Sequence, residues 1–317
     1  MPDTDWLSPV YFFVLESVIE SAIIFVIVRL VLHTFGLRRP AVVSRFLLLP
    51  LVIPVVLSPT LHVLFPQLEG LSLVAQIERV FPLFETIRRS HADLAPILLT
   101  VFLIVLSVNL AQWTIVSLYE IRCYTVNRSA HSLVHTTMLA DLAKQLNVVR
   151  PHLIMSERRP FTAHVLGWRR PIIAVGQHWL AQLDTEELEA LLGHELAHFK
   201  RGDNWQVLIA KVCRDLMFFN PLAHYIYQQL VMACEAASDD LALQVTHKPL
   251  ALASCLLKFA RAQHPTAIGV SFSGAGRGVE QRITRLVADE YTYQPDHESN
   301  GLFYGLSIVL ALVLSIV

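Results

Sequence analysis

The run from Asp184 to Asn204, and within it Gly193-His194-Glu195-Leu196-Ala197-His198-Phe199, decides how the rest of the chain is read. Its local signals are helical. Asp184 with Glu187 three residues on is the reciprocal capping pattern that starts a helix. Leu188, Leu191 and Leu192 continue it as an apolar stripe with helical spacing. On such a helix His194 and His198 stand one turn apart, so both imidazoles can reach one metal ion. Glu195 lies on the flank of the same face, placed to take a proton from an attacking water. The plainer alternative is two solvated surface histidines beside an ordinary acid, and the remaining sequence has to separate the two.

Composition points to a membrane. Of 317 residues, 54% are apolar and only 16% charged, with a mean hydropathy of +0.50; an ordinary globular chain carries about 25% charged residues. A net charge of -1 gives no electrostatic case for direct nucleic-acid binding. Cys123, Cys213, Cys234 and Cys255 form no C-x-x-C pair, which argues against a disulfide scaffold and a zinc ribbon.

The expected organisation is a membrane domain over 1-119, a polar block over 120-300 and a last spanning helix over 301-317. Three spans are expected in the first part, near 11-35, 46-65 and 94-119. Glu16, Glu20 and Arg29 interrupt the first, and the two acids share a face. Pro50, Pro54 and Pro59 are expected to kink the second. Gln67 to Asp93 reads as an amphipathic interfacial segment. Arg38, Arg39 and Arg45 between the first two spans put that loop inside and the N-terminus outside. The polar block then faces the cytosol, although Arg79, Arg88 and Arg89 run against the rule.

Within the block, Ser132 to Leu146 reads as a helix, and Pro151 to Ser156, Phe161 to Leu166 and Pro171 to Val175 read as three strands. The last, through Ile172, Ile173 and Ala174, is expected to offer a sheet edge to which a peptide substrate adds. Trp205 to Met217 and Leu222 to Asp240 are two further helices, broken at Asn220-Pro221 and apolar enough to lie against the membrane. The fold class is thus mainly α, with about four transmembrane helices. A cytosolic α+β zincin-like domain, a small sheet plus the H-E-x-x-H helix, is inserted between helices 3 and 4.

A hydrolytic zinc takes three protein ligands and leaves a fourth position for water. Between Asp203 and Glu280 the only acids are Asp215, Glu235, Asp239 and Asp240. Glu235 lies among small residues in Ala233-Cys234-Glu235-Ala236-Ala237-Ser238-Asp239, with Asp239 one turn further on the same face. Glu235 is therefore assigned to the metal and Asp239 to the support of a ligand histidine through its other ring nitrogen. His224, Tyr225, Tyr227 and Arg282 are candidates for stabilising the oxyanion or contacting substrate.

The run from His194 to Asn204, then Phe218-Phe-Asn-Pro-Leu222, then Glu235-x-x-x-Asp239, resembles the BlaR/MecR-type membrane zinc metallopeptidases, a gluzincin-like group. Phe161 to Val175 and Val279-Glu-Gln-Arg-Ile283 match the same pattern. The resemblance implies His194, His198 and Glu235 as ligands of one zinc ion, Glu195 as general base and Asp239 as a supporting carboxylate. Ser238 stands where a cysteine is expected. Antibiotic-sensing members continue into an extracellular penicillin-binding domain; this sequence stops at Val317, so a chain without that sensor is expected.

Together these features predict a multi-pass endopeptidase of a bacterial-type inner membrane, acting on a protein or peptide substrate. Its expected role is regulatory: signal-dependent cleavage of a cytosolic protein such as a repressor, with a separate sensor as a further partner. Self-cleavage at Arg158-Arg159 or Arg169-Arg170 is a related possibility. The alternatives are an HtpX/CAAX-type housekeeping protease, which shares H-E-x-x-H and E-x-x-x-D, and a non-hydrolytic membrane receptor or scaffold with a structural zinc.

Overall fold

The computed structural model describes residues 8–57, 100–112, 114–115, 133–156, 163–166, 172–176, 181–263, 274–288 and 307. In chain order, α1 is Ser8–Thr34, α2 Pro40–Phe46 and α3 Leu49–Val52, which runs on into a π-helical turn at Ile53–Leu57. Helix α4 is Thr100–Gln112 and α5 Leu133–Gln145. Strands β1 (His152–Ser156), β2 (Ala163–Leu166) and β3 (Ile172–Gly176) precede α6 (Thr185–Arg201). Then come α7 (Asp203–Leu216), α8 (Pro221–Thr246), α9 (Pro249–Gln263) and α10 (Gly274–Val287). The expected interfacial segment 67–93, the ends of the second and third spans and the span 301–317 lie outside the described residues, except Ser307.

The chain forms two compact units. The first takes residues 1–114, 206–231 and 296–317. Within α1 the stretch Glu16–Thr34 is long and apolar enough to cross a membrane. Ile24, Val28 and Leu32 pack on Val42, Phe46, Leu49 and Ile53. The second expected span is already helical from Pro40, where proline suits the first helical turn and holds Arg39 extended. Its predicted disturbance is found at Pro54. That residue has no N–H to give the Pro50 carbonyl, and the Ser21 hydroxyl of α1 donates to that carbonyl instead, at 2.9 Å. A missing bond in one helix becomes a bond between two.

Residues 206–231, which composition alone groups with the polar block, pack in this first unit. Gln206 Nε2 donates to the Ser44 carbonyl at 2.6 Å. Phe219 meets Phe13 edge-on, with ring centroids 6.3 Å apart. The helices break where Asn220-Pro221 demanded it, the Asn220 side chain accepting from the Leu222 N–H at 3.0 Å.

The second unit, residues 115–205 and 232–295, carries the sheet. Leu139 and Leu142 of α5 and Leu146 just past its end, Leu153, Ile173 and Val175 of the sheet, and Leu188, Leu192 and Leu196 of α6 share one core. The strand order is β1-β3-β2, with β3 parallel to β1 and antiparallel to β2. The expectation that Ile172, Ile173 and Ala174 form a free edge is therefore overturned. These residues pair with His152, Leu153 and Ile154 on one side and with Leu166, Val165 and His164 on the other. Among the described residues the edges are β1 and β2.

Candidate metal centre

Helix α6 starts and stops where its sequence dictates. Asp184 Oδ1 accepts from the Glu187 N–H at 2.8 Å, and Glu187 Oε2 accepts from the Asp184 N–H at 2.9 Å. Glu187 also holds Ser254 and Lys258 of α9. At the other end Gly202 takes φ 71°, a left-handed conformation that glycine adopts without strain. Between the ends, Gly193 lets α8 approach: a Cβ there would lie 2.9 Å from Thr246 Cγ2. That contact brings the acids of α8 to the two histidines.

His194 Nε2 and His198 Nε2 are 3.0 Å apart. Glu235 places Oε2 3.5 Å from the first and Oε1 3.5 Å from the second. Three potential ligand side chains thus converge from two helices. Tetrahedral bonds of about 2.0–2.1 Å to one zinc ion would set neighbouring ligand atoms roughly 3.3 Å apart. Two imidazoles and a carboxylate are also the donor set of hydrolytic zinc. The residues present fit the ion. Side-chain exposure rises from 7% at His194 and 13% at His198 to 31% at Glu235, so the cluster is reached from the Glu235 side.

The chain matches the family described as BlaR1 peptidase M56 over residues 13–286. It belongs to that family. The family is described as one of peptidases, and the Glu16–Thr34 helix is apolar and long enough to cross a membrane. Over 81 residues it is 32% identical to the Protease HtpX homolog of Archaeoglobus fulgidus, a stretch that is 25% of this chain and 24% of that protein. The chain thus spans about a quarter of the length of that relative.

Behind each histidine of this M56 chain stands a carboxylate. Asp239 Oδ1 is 3.0 Å from His194 Nδ1, at ion-pair distance but off the line of the ring N–H, so the buried nitrogen has no well-directed hydrogen bond. Asp203 Oδ2 meets His198 Nδ1 in a hydrogen bond of 2.9 Å. Arg282 of α10 grips Asp239 with Nε and Nη2, at 2.8 and 2.7 Å, and gives Nη1 to Glu235 Oε2 at 2.6 Å. Asp203 is held in turn by Ser238 Oγ at 2.8 Å and Arg201 Nε at 3.1 Å.

Burial pulls the His194 imidazolium down, but the Asp239 and Glu235 carboxylates outweigh it and push the pKa up to about 10. Burial raises Asp239 and Glu235, yet Arg282 and the facing histidines hold both well below the usual carboxylate range. Asp203 is likewise lowered against burial, by His198, Arg201 and Ser238.

Glu195 is buried beside His194 on α6. Arg282 does come to the cluster, but its donors are turned to Asp239 and Glu235 rather than outward. His224 and Tyr225 belong to the first unit. There His224 Nε2 lies 3.0 Å from the Phe218 carbonyl, Tyr225 packs edge-on against Phe25, and Tyr227 lies under Arg214. Sequence reading missed the Asp203–Ser238–Arg201 support. Its signal was present, an acid directly after the glycine that ends the histidine helix.

Proposed function

We propose that this chain is a zinc-dependent endopeptidase of the membrane with its catalytic unit in the cytosol. The observation that carries the reading is the convergence of His194, His198 and Glu235 at 3.0–3.5 Å with a carboxylate behind each histidine. A bound zinc would polarise the scissile carbonyl and lower the pKa of water towards about 7. Glu195 takes the proton of the attacking water and delivers it to the leaving amine. Asp203 fixes the plane and tautomer of His198, and Asp239 supports His194 from the side of its other ring nitrogen. Arg282 keeps Glu235 and Asp239 ionised and in place. A peptide substrate adds to β2, the edge strand that packs on α6.

The biological role we assign is regulatory, the cleavage of a cytosolic protein such as a repressor in response to a sensor. A housekeeping role on damaged membrane proteins is the second reading, favoured by the local identity to an archaeal Protease HtpX homolog. Mapping new protein N-termini in cells expressing wild type or Glu195→Gln separates them. A few cytosolic fragments lost in the variant support regulation, and many membrane-protein fragments support housekeeping. Retained zinc with identical N-termini in both strains would leave a receptor or scaffold and end the enzyme reading.

A further inference from the structure

Helix α7 presents three different faces around its axis. Ala210 and Cys213 are buried. Trp205, Leu208, Ile209 and Val212 recur at i, i+3, i+4 and i+7 and are 37–50% exposed. Asn204, Lys211 and Asp215 fall on the third side. A helix with one face packed on protein, one polar and one apolar but exposed is built for the boundary between water and an apolar phase. At 14 residues, and with Lys211, Arg214 and Asp215 in it, α7 is too short and too charged to span a bilayer.

The rest of its unit identifies that apolar phase. From Gln206 onwards α7 belongs to the same compact unit as α1, whose Glu16–Thr34 stretch is apolar enough to cross a membrane. It is tied there by the Gln206–Ser44 bond and, just past its end, by Ser21 Oγ to Met217 Sδ at 3.6 Å. In the same unit α4 leaves Val101, Leu103, Ile104, Val108 and Leu110 exposed. Trp205 at the start of the stripe suits the interfacial belt where indoles collect. We propose that the Trp205–Val212 face of α7 lies in the acyl–headgroup boundary of the bilayer, parallel to the membrane plane. Trp205 is seven steps along the chain from His198, so the two cannot be more than about 25 Å apart. Chain length alone then keeps His198 within that distance of the boundary, and peptide bonds near the membrane surface are the ones within reach. This last step rests on the proposed function; the lie of α7 does not.

The test uses the full chain in lipid nanodiscs, with Cys123→Ser and the buried Cys213, Cys234 and Cys255 left in place. A nitroxide is attached at position 208, 209 or 211 in turn, and its collisions with oxygen and with a water-soluble nickel complex are compared. The expected result is oxygen access at 208 and 209 and nickel access at 211. Nickel access at 208 and 209 would show the stripe facing water and overturn the proposal. Access to neither probe would show it covered by protein, another segment of this chain or a second copy, and would overturn it equally. If a label at 208 or 209 disturbs folding, position 212 on the same stripe replaces it. Because no cleavage is read, failure here is distinct from failure of the peptidase reading.

Discussion

His194 and His198 offer the same ligand atom, but the carboxylates behind them are held in different ways. The support of His198 is local. Asp203 follows five residues later, is turned back by Gly202, and takes an aligned 2.9 Å bond while Arg201 from the same turn steadies it. The support of His194 is assembled from afar. Asp239 comes from α8, is gripped by Arg282 from α10, and that arginine stands 88 residues from the histidine in the chain. One half of the centre therefore comes mostly with the helix that carries it, with Ser238 of α8 added, and the other exists only when α8 and α10 are docked.

Arg282→Gln tests this most severely. It leaves the buried Asp239, and the partly exposed Glu235 beside it, without their cation; removing one partner of a buried pair such as Arg282–Asp239 costs about 3–5 kcal/mol. The expected outcome is a large fall in melting temperature together with loss of zinc in competition with a chelator. Arg201→Gln is the matched variant on the local side. Asp203 there keeps His198 and Ser238, so about 1.5–3 kcal/mol is expected. Equal losses in the two variants would break the comparison.

Acidity divides the centre as well. In the zinc-free protein the His194 pKa is raised from 6.5 to about 10, so its contribution is full below about pH 6.5 and is lost as pH rises through about 10. Asp203, Asp239 and Glu235 are lowered, so theirs is present above the unfolded carboxylate range near pH 4 and is lost as pH falls through their depressed values. Zinc-free protein should thus be most stable between about pH 4.5 and 6.5 and weaken towards pH 10. Zinc takes His194 in its neutral form and should abolish that alkaline loss. Melting temperatures at pH 6 and pH 10, with and without zinc, decide the point; equal zinc-free values at the two pH values would refute it.

Removing one supporting carboxylate at a time is a milder change. Loss of such a partner typically lowers metal affinity about 10–100-fold. Asp239→Asn should fall near the upper end, because Arg282 also loses its two-point partner, and Asp203→Asn near the lower. Zinc affinity by chelator competition ranks them, and the reverse order would contradict the asymmetry.

The same division governs what could be read from the sequence. The capping box at Asp184, the break at Asn220-Pro221 and the pair Glu235 and Asp239 are set by spacing within one helix or turn, and they are legible. Asp203 was legible in principle, but its role depends on the Gly202 turn that swings it back to His198. The grip of Arg282 on Asp239 and Glu235 and the middle position of β3 depend on which elements pair, and a linear pattern does not carry that. The helices around Asn220-Pro221 read as apolar enough to lie against the membrane, but the sequence does not show that Gln206 to Val231 groups with the first unit. Contacts such as Gln206 to Ser44 and Phe219 to Phe13 show that.

Ser238 offers the finest test. Its hydroxyl, wholly buried, donates to Asp203 Oδ2 at 2.8 Å, while Oδ1 of the same carboxylate is buried without a partner. Ser238→Ala removes one of three donors and should cost about 1 kcal/mol, with a small loss of zinc affinity. Ser238→Cys restores a polar hydrogen but a weaker donor and should fall between the two. If the alanine variant lost as much as Arg282→Gln, Arg201 and His198 would not suffice to hold Asp203. The local half of the centre would then depend on α8 as heavily as the distant half.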